Sequence, residues 1–404
     1  MKSTTRGMTR RAFFSKTIGT AAAVGAAGLA LSPAPAQDKP GPILTRTLGR
    51  TGLTLPVVSM GVMNADNPEL VRKAYEVGMR HFDTAGVYAR GRNEMMVGKV
   101  LKDLGVRDRA VIATKVLVPD EQRRSLPAAE LKSLFIRLAE ESLGRLQTDA
   151  VDILYIHDVG RAEEIIRPGI REALADLKKR GRIRFAGFST HVGMTECLEA
   201  ARLDGFYDVI LTSFNYALAG DRALLSAMQA AAAAGIGLVA MKTQCTQNWY
   251  KEELPGDQRK YYEVPILHTA VLKWVLRHEF IATAVPGFTT FDQLDTDWSC
   301  AGGLDYKPEE AAFLEETSPA ALAYCVQCRS CLPSCPRGAS IPDLMRAQMY
   351  AAAYANFGQC RQTLEAISPG RGLSACFSCA ECSAACAQRV DIAKRIGDLK
   401  TLFV

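Results

Sequence analysis

Residues 128–157 read AAELKSLFIRLAEESLGRLQTDAVDILYIH, and the hydrophobic period changes partway along. Over 128–146 apolar side chains recur every three to four residues, the spacing of one helix face. Over 150–157 they form the β-branched run of a strand. The same alternation extends in both directions. Candidate strands are 57–62, 81–85, 110–116, 150–157, 183–189, 208–214, 236–242 and 281–287, and helix-period segments such as 69–78, 168–180 and 265–279 lie between them. Eight strand–helix units over about 250 residues predict an α/β chain built as a parallel (β/α)8 TIM barrel. A doubly wound sheet would need a glycine-rich turn after an early strand. Residues 63–68, which follow the first strand, hold no glycine.

In such a barrel, chemistry sits where strands end and loops begin. Asp83 and Tyr88 fall at and just past the end of the second strand, Lys115 near the end of the third and His157 at the end of the fourth. Adjacent strands bring these four together. An ammonium beside a phenol favours the phenolate, so Lys115 is expected to draw the Tyr88 pKa down from about 10. Asp83 keeps a buried Lys115 charged, and His157 orients a carbonyl or shares its proton. Singly, each residue also reads as structural: a helix cap, a packed ring, an ion-pair partner, a core histidine.

Eight of the twelve cysteines fall in two copies of one pattern. Cys325-x2-Cys328-x2-Cys331-x3-Cys335-Pro336 is followed by Cys376-x2-Cys379-x2-Cys382-x3-Cys386, with Ala387 where the first copy has proline. This spacing wraps three thiolates around one 4Fe-4S cube while the fourth reaches the other cube. Cys325, Cys328, Cys331 and Cys386 are therefore expected at one cluster, and Cys376, Cys379, Cys382 and Cys335 at the other. Zinc and disulfides are the rival readings. Structural zinc usually takes CxxC pairs, which leaves one thiol of each triple without a role. Residues 341–365 read as helix, so 325–404 is expected to be an α-helical ferredoxin-like domain joined to the barrel (45–305) by a helical linker (306–324). Of the other cysteines, Cys197 reads as core and Cys245 stands at the rim of the barrel mouth, while Cys300 and Cys360 show no evident role.

The composition is 48% hydrophobic and 23% charged, which excludes disorder and coiled coil for the whole chain. Of the formal charge of +6, five come from Lys2, Arg6, Arg10, Arg11 and Lys16, set against no acid in residues 1–36. The remaining +1 gives no support to a nucleic-acid partner. Residues 1–36 read as a twin-arginine signal peptide, with paired Arg10 and Arg11, a weakly apolar middle and small residues at Ala34 and Ala36. The apolar run 17–31 is short of the roughly 20 residues that span a bilayer, so no stable membrane insertion is expected. The twin-arginine export machinery is the expected partner and the periplasm the expected location. That route carries proteins already folded around their cofactors.

The stretches LGRTGL (48–53), FDTAGVY (82–88), ATK (113–115) and LYIHD (154–158) resemble the aldo-keto reductase family, and the trailing cysteines resemble its iron-sulfur branch. The resemblance implies that the first stretch is a hairpin plugging the barrel. It further implies that Tyr88 is the general acid, with Lys115 and Asp83 tuning it and His157 orienting a small carbonyl or alcohol. It implies an NAD(P) site too, with Ser189 and Thr190 on the carboxamide, Phe214 stacked on the ring, and Pro286, Gly287, Phe288 and Thr289 gripping the phosphates. This chain departs from that pattern at Thr190, at Leu211 and at the adenosine end, where Gly287, Gln293 and Thr296-Asp297 stand. A tightly held nucleotide and a lost nicotinamide site both remain open. So do three roles for the clusters: passing electrons between a carrier and a partner-supplied flavin, holding the domain folded, or serving a barrel that no longer depends on free nicotinamide. The leading expectation is a periplasmic oxidoreductase of a small, sugar-like substrate. The alternative is an electron-transfer protein that keeps the barrel as a docking platform.

Overall fold

The computed structural model of the chain describes residues 42–244, 267–319, 324–325, 327–352, 354, 356–379, 381–388 and 390–403. The first 36 residues, Cys245 and most of the stretch 243–264, which holds Trp249, Tyr250, Tyr261 and Tyr262, lie outside the described residues. β1 (Thr45–Thr47) and β2 (Thr54–Pro56) pair antiparallel as a hairpin. β3 (Met60–Gly61), β4 (His81–Asp83), β5 (Val111–Val116), β6 (Val151–Val159), β7 (Ile183–Thr190), β8 (Val209–Ser213), β9 (Gly237–Met241) and β10 (Thr283–Ala284) follow in chain order as one eight-stranded sheet, parallel throughout. A bridge between Val58 and Ala284 brings the first strand to the last, and the Gly61 amide donates to the Pro286 carbonyl at 2.8 Å. The expected TIM barrel is therefore present.

Alternation along each strand sorts the core into two layers. Ala113, Ile153, Tyr155, Val209, Leu211 and Val239 fill the barrel interior with Leu48 and Leu55 of the hairpin. Ile112, Leu154, Ile156, Ile210 and Leu238 pack outward against the helices. The hairpin closes the amino-terminal end of the barrel, as the 48–53 stretch implies. Its approach is tight enough to require glycine on both sides. Gly49 has φ +49° and leaves no room for a Cβ beside the Gly237 amide, and a Cβ on Gly237 would stand 2.6 Å from Leu48 Cγ.

Local signals set the helices. Asn67 accepts from the Glu69 amide and Pro68 opens the helix Pro68–Val77, which Gly78 ends at φ 121°. In Ala128–Leu146 the buried positions Leu131, Phe135, Ala139, Leu143 and Leu146 keep one face on the sheet.

Beyond the helix Pro308–Glu316, the carboxyl-terminal residues form helices Ile341–Ala352, Phe357–Glu365, Ser374–Phe377 and Ile392–Phe403 around their own small core. The sequence reads 341–365 as one helix, but the structure splits it. The Asn356 side chain accepts from the Gln359 amide at 2.9 Å and so starts a second helix. These helices and the barrel belong to one compact unit, residues 40–404.

Candidate active site

A parallel barrel gathers all its strand ends at one mouth, and the four expected residues meet there. Asp83 ends β4, Lys115 is the penultimate residue of β5, and His157 lies near the end of β6. The Lys115 ammonium donates to Asp83 Oδ1 at 2.5 Å, to the Thr84 carbonyl at 2.7 Å and to the Tyr88 hydroxyl at 3.4 Å. The Tyr88 and His157 rings meet edge to face, with centroids 5.8 Å apart. Lys115 is 1% exposed and Asp83 4%, so this is a dry ion pair. Burial pulls the lysine down and the aspartate up, and each charge resists the other's neutralisation.

The expected direction for Tyr88 is reversed. Burial raises its pKa, and the carboxylates of Asp83 and Asp158 raise it further, so the phenol is held protonated. Burial also brings His157 down to about 3 and His81 to about 4, from an ordinary 6.5, with Lys115 adding to both shifts. These histidines fold as neutral rings, whereas the unfolded chain takes up protons near pH 6.5. Stability is therefore full above pH 6.5 and is lost as pH falls towards 3–4. The thermal midpoint should drop through that window, and His157→Gln should flatten part of the drop.

A cavity of about 400 Å³ opens above these residues, and the barrel builds only part of it. Met63, Asn64, Asp158, His191, Met241 and Lys242 line it from the strand ends, while Arg346, Tyr350, Tyr354 and Thr363 line it from the carboxyl-terminal domain. The Arg346 guanidinium donates to Asp158 Oδ2 at 3.2 Å and to Gln327 Oε1. Burial works to raise the Asp158 carboxyl, but Arg346, His191 and His157 hold it well below the usual carboxylate range. Asn356 donates to Asn64 at 3.0 Å, and Arg90 pairs with Glu365 at 3.1 Å, so further contacts tie the domains at the mouth. Sequence reasoning missed this wall. Its one visible signal is a lone arginine amid the apolar Leu344, Met345, Ala347 and Met349.

The positions expected to hold a nicotinamide are scattered. Only Pro286 and Gly287 line the cavity. The Ser189 hydroxyl accepts from the Asp158 amide at 3.0 Å and the Thr190 hydroxyl donates to the Val192 carbonyl at 3.0 Å, and both residues are fully buried. Phe214 packs outward against Trp274, His278 and Phe280, because it continues the helix-facing side of its strand, and Met241 is the side chain that faces the cavity instead. Phe288 is core, and the Thr289 amide donates to Gln293 Oε1 at 2.8 Å. As arranged, these residues offer no stacking ring, and the two hydroxyls are buried outside the cavity lining, so they do not fit a nicotinamide held in the implied way.

The cysteines sort as their spacing predicts. Cys325, Cys328, Cys331 and Cys386 ring one cavity, and Cys335, Cys376, Cys379 and Cys382 ring another. All eight are free thiols. Among the described residues no three such side chains converge tightly enough for a single ion, whereas a cube of four irons holds its thiolates well apart. The loops of the two motifs are stitched together, with the Ser383 hydroxyl donating to the Ser334 carbonyl and the Ala385 amide to the Ser334 hydroxyl. That stitching carries the fourth cysteine of each motif across to the other's cavity. The residues fit iron-sulfur clusters.

Comparison with known protein families matches residues 57–255 to the aldo/keto reductase family and residues 324–391 to a 4Fe-4S dicluster domain. Among curated relatives, the chain is 27% identical over 313 residues to pyridoxal 4-dehydrogenase of Microbacterium luteolum, covering 62% of this chain and 90% of that one. It is 34% identical over 212 residues to L-galactose dehydrogenase of Arabidopsis thaliana, covering 48% of this chain and 63% of that one. Among solved structures, the holo form of an aldo-keto reductase from Bacillus halodurans superposes with a TM-score of 0.54 at 23% identity, over 68% of this chain and 96% of that one. An aldo/keto reductase from Klebsiella pneumoniae, solved in complex with NADP and acetate, gives 0.51 at 23% identity, over 68% of this chain and 95% of its own. The structural likeness is one of fold. Two domain matches, oxidoreductase relatives and the barrel agree: the chain is an oxidoreductase of the aldo/keto reductase family that carries a 4Fe-4S dicluster domain after its barrel.

Proposed function

We propose that this oxidoreductase is exported by the twin-arginine route and interconverts a carbonyl and an alcohol on a small, sugar-like substrate, with two 4Fe-4S clusters in its carboxyl-terminal domain. The observation that carries the reading is the meeting of Tyr88, Lys115, Asp83 and His157 at the floor of one cavity. Tyr88 gives its proton to the substrate oxygen when a carbonyl is reduced and takes it back when an alcohol is oxidised. Lys115, fixed by Asp83 and the Thr84 carbonyl, sets the field at that hydroxyl. Neutral His157 offers a ring nitrogen to the same oxygen. Asn64, Asp158, His191 and Arg346 set hydrogen-bonding groups into a mainly apolar wall, which suits a hydroxylated molecule, and the names of the relatives include a sugar dehydrogenase and a pyridoxal dehydrogenase.

When bound, the clusters would supply one-electron transfer, whereas the hydrogen that joins the carbonyl carbon as Tyr88 protonates the oxygen comes from a two-electron hydride carrier, which takes it up again in the reverse direction. Cys325, Cys328, Cys331 and Cys386 would hold one, and Cys335, Cys376, Cys379 and Cys382 the other. Export rests on Arg10 and Arg11 and on the advantage of loading iron before leaving the cytoplasm. The test of the function is anaerobic purification followed by a screen of aldoses, sugar alcohols and pyridoxal. NAD(P) and a one-electron acceptor such as ferricyanide are tried in parallel. Turnover of a hydroxylated carbonyl or alcohol supports the reading, and failure of the whole panel with both acceptors counts against it.

The cysteine assignment has its own test. Cys386→Ser should remove the cluster of the first motif and leave that of the second, although Cys386 belongs to the second motif. Iron should fall by about half. If EPR shows that the second motif's cluster is the one lost, the crossed arrangement is wrong.

A further inference from the structure

Neither cluster site shares a lining residue with the catalytic cavity, but a further cavity lined by Gln327, Cys328, Asp158 and Arg346 borders both it and the site at Cys325, Cys328, Cys331 and Cys386. A chain of hydrogen bonds crosses that boundary. Gln327 lies inside the loop between Cys325 and Cys328, with φ +59°, and its side-chain oxygen accepts from Arg346. The same guanidinium nitrogen donates to Asp158, which directly follows His157. Asp158 is itself at φ +61°, so the strand end turns sharply where the arginine holds it. Lys242, at φ +54° just past β9, lines the cavity beside Arg346.

We propose that the cluster at Cys325, Cys328, Cys331 and Cys386 is coupled to the catalytic cavity through Arg346, the positioning residue that lines the cavity and holds the cluster loop. Arg346 clamps the cluster loop to the His157–Asp158 strand end, one terminal guanidinium nitrogen donating to both partners. Loading iron orders the loop and thereby sets the height of His157 over Tyr88, and charge arriving at the cluster is felt in the cavity. The carboxyl-terminal domain is on this view part of the active site, and its outer cluster is the one left to meet a redox partner.

The inference rests on the two-cluster reading, and the experiment separates the two. Full-length protein is purified anaerobically, its iron and sulfide are counted, and the dithionite-reduced clusters are followed by EPR during a redox titration. Cys328→Ser and Cys382→Ser variants assign the two signals. About eight irons per chain upholds the two-cluster reading, and fewer in the wild type defeats that reading before the coupling is at issue. Arg346 is the cation hydrogen-bonded into the cluster loop, and removing a cation near the sulfurs disfavours the reduced state, so Arg346→Met should move the potential of the inner cluster to more negative values. Arg346→Lys, which keeps the charge, should restore it, and the outer cluster should not move. Hydrogen exchange then reads the clamp. Amides around residues 155–160 should exchange faster in Arg346→Met and in Cys328→Ser, but at the wild-type rate in Cys382→Ser. An unchanged potential of the inner cluster in Arg346→Met at full iron content, equal shifts of both clusters, or wild-type exchange in Arg346→Met would each overturn the proposal. If Arg346→Met does not fold, Gln327→Ala cuts the same chain at its other end and is read by the same exchange.

Discussion

Replacing Tyr88 with phenylalanine should lower turnover by about 10²- to 10⁴-fold, the range expected for removing a positioned general acid, while iron content and both EPR signals stay at wild type. The substitution deletes one oxygen, 3.4 Å from the Lys115 ammonium, and leaves a ring of the same shape against His157. The two functional readings part here. A protein that uses the barrel only as a docking platform keeps all its redox behaviour without the phenol, whereas an enzyme loses its proton donor. The raised pKa adds a direction. Because burial and two carboxylates hold Tyr88 protonated, carbonyl reduction should be nearly independent of pH from 6 to 9, since the acid is always charged with its proton. Alcohol oxidation needs the phenolate and should speed up with rising pH across the same range. A rate of oxidation that falls with pH would remove Tyr88 from the role of base.

The reversal at Tyr88 shows where the sequence stops being informative. Neighbouring strand ends place Asp83, Lys115 and His157 side by side because a parallel sheet leaves no alternative, and this is why they could be named in advance. The sign of a pKa depends on how much water is excluded, and the water is excluded by a helix some 190 residues beyond His157. Arg346 and Tyr350 carry no motif, and Asp158, the partner of Arg346, falls on the far side of a domain boundary that spacing cannot cross. The cysteines are the opposite case. Thiolate spacing is itself the geometry of a cube, so the crossed arrangement needed no fold to be foreseen. Phe214 failed for a third reason. Its chemistry suited a stacking role, but strand alternation sends its ring to the helices and Met241 to the cavity.

Lys115→Met should be the most damaging single change to stability, about 3–5 kcal/mol, because it leaves an uncompensated carboxylate in the barrel. Asp83 is 4% exposed, its Oδ2 has no partner among the described residues, and Oδ1 would lose the ammonium at 2.5 Å. Burial alone then governs its pKa and drives it far above its ordinary 3.8. The consequence is a change of slope. A group whose folded pKa is raised contributes its stability at low pH and loses it as pH climbs, so the variant should weaken from about pH 4 upward. The wild-type protein gains stability over the acid range as its buried histidines shed their protons. Denaturant midpoints measured at pH 5 and pH 8 should therefore diverge between the two proteins, with the larger gap at pH 8. Asp83→Asn combined with Lys115→Met removes both charges and should recover most of the loss, since an amide in that place needs only hydrogen bonds. If the double variant is as unstable as the single one, the lysine stabilises the barrel by packing its stem rather than by pairing its charge, and the account of how the Tyr88 hydroxyl is tuned must change with it.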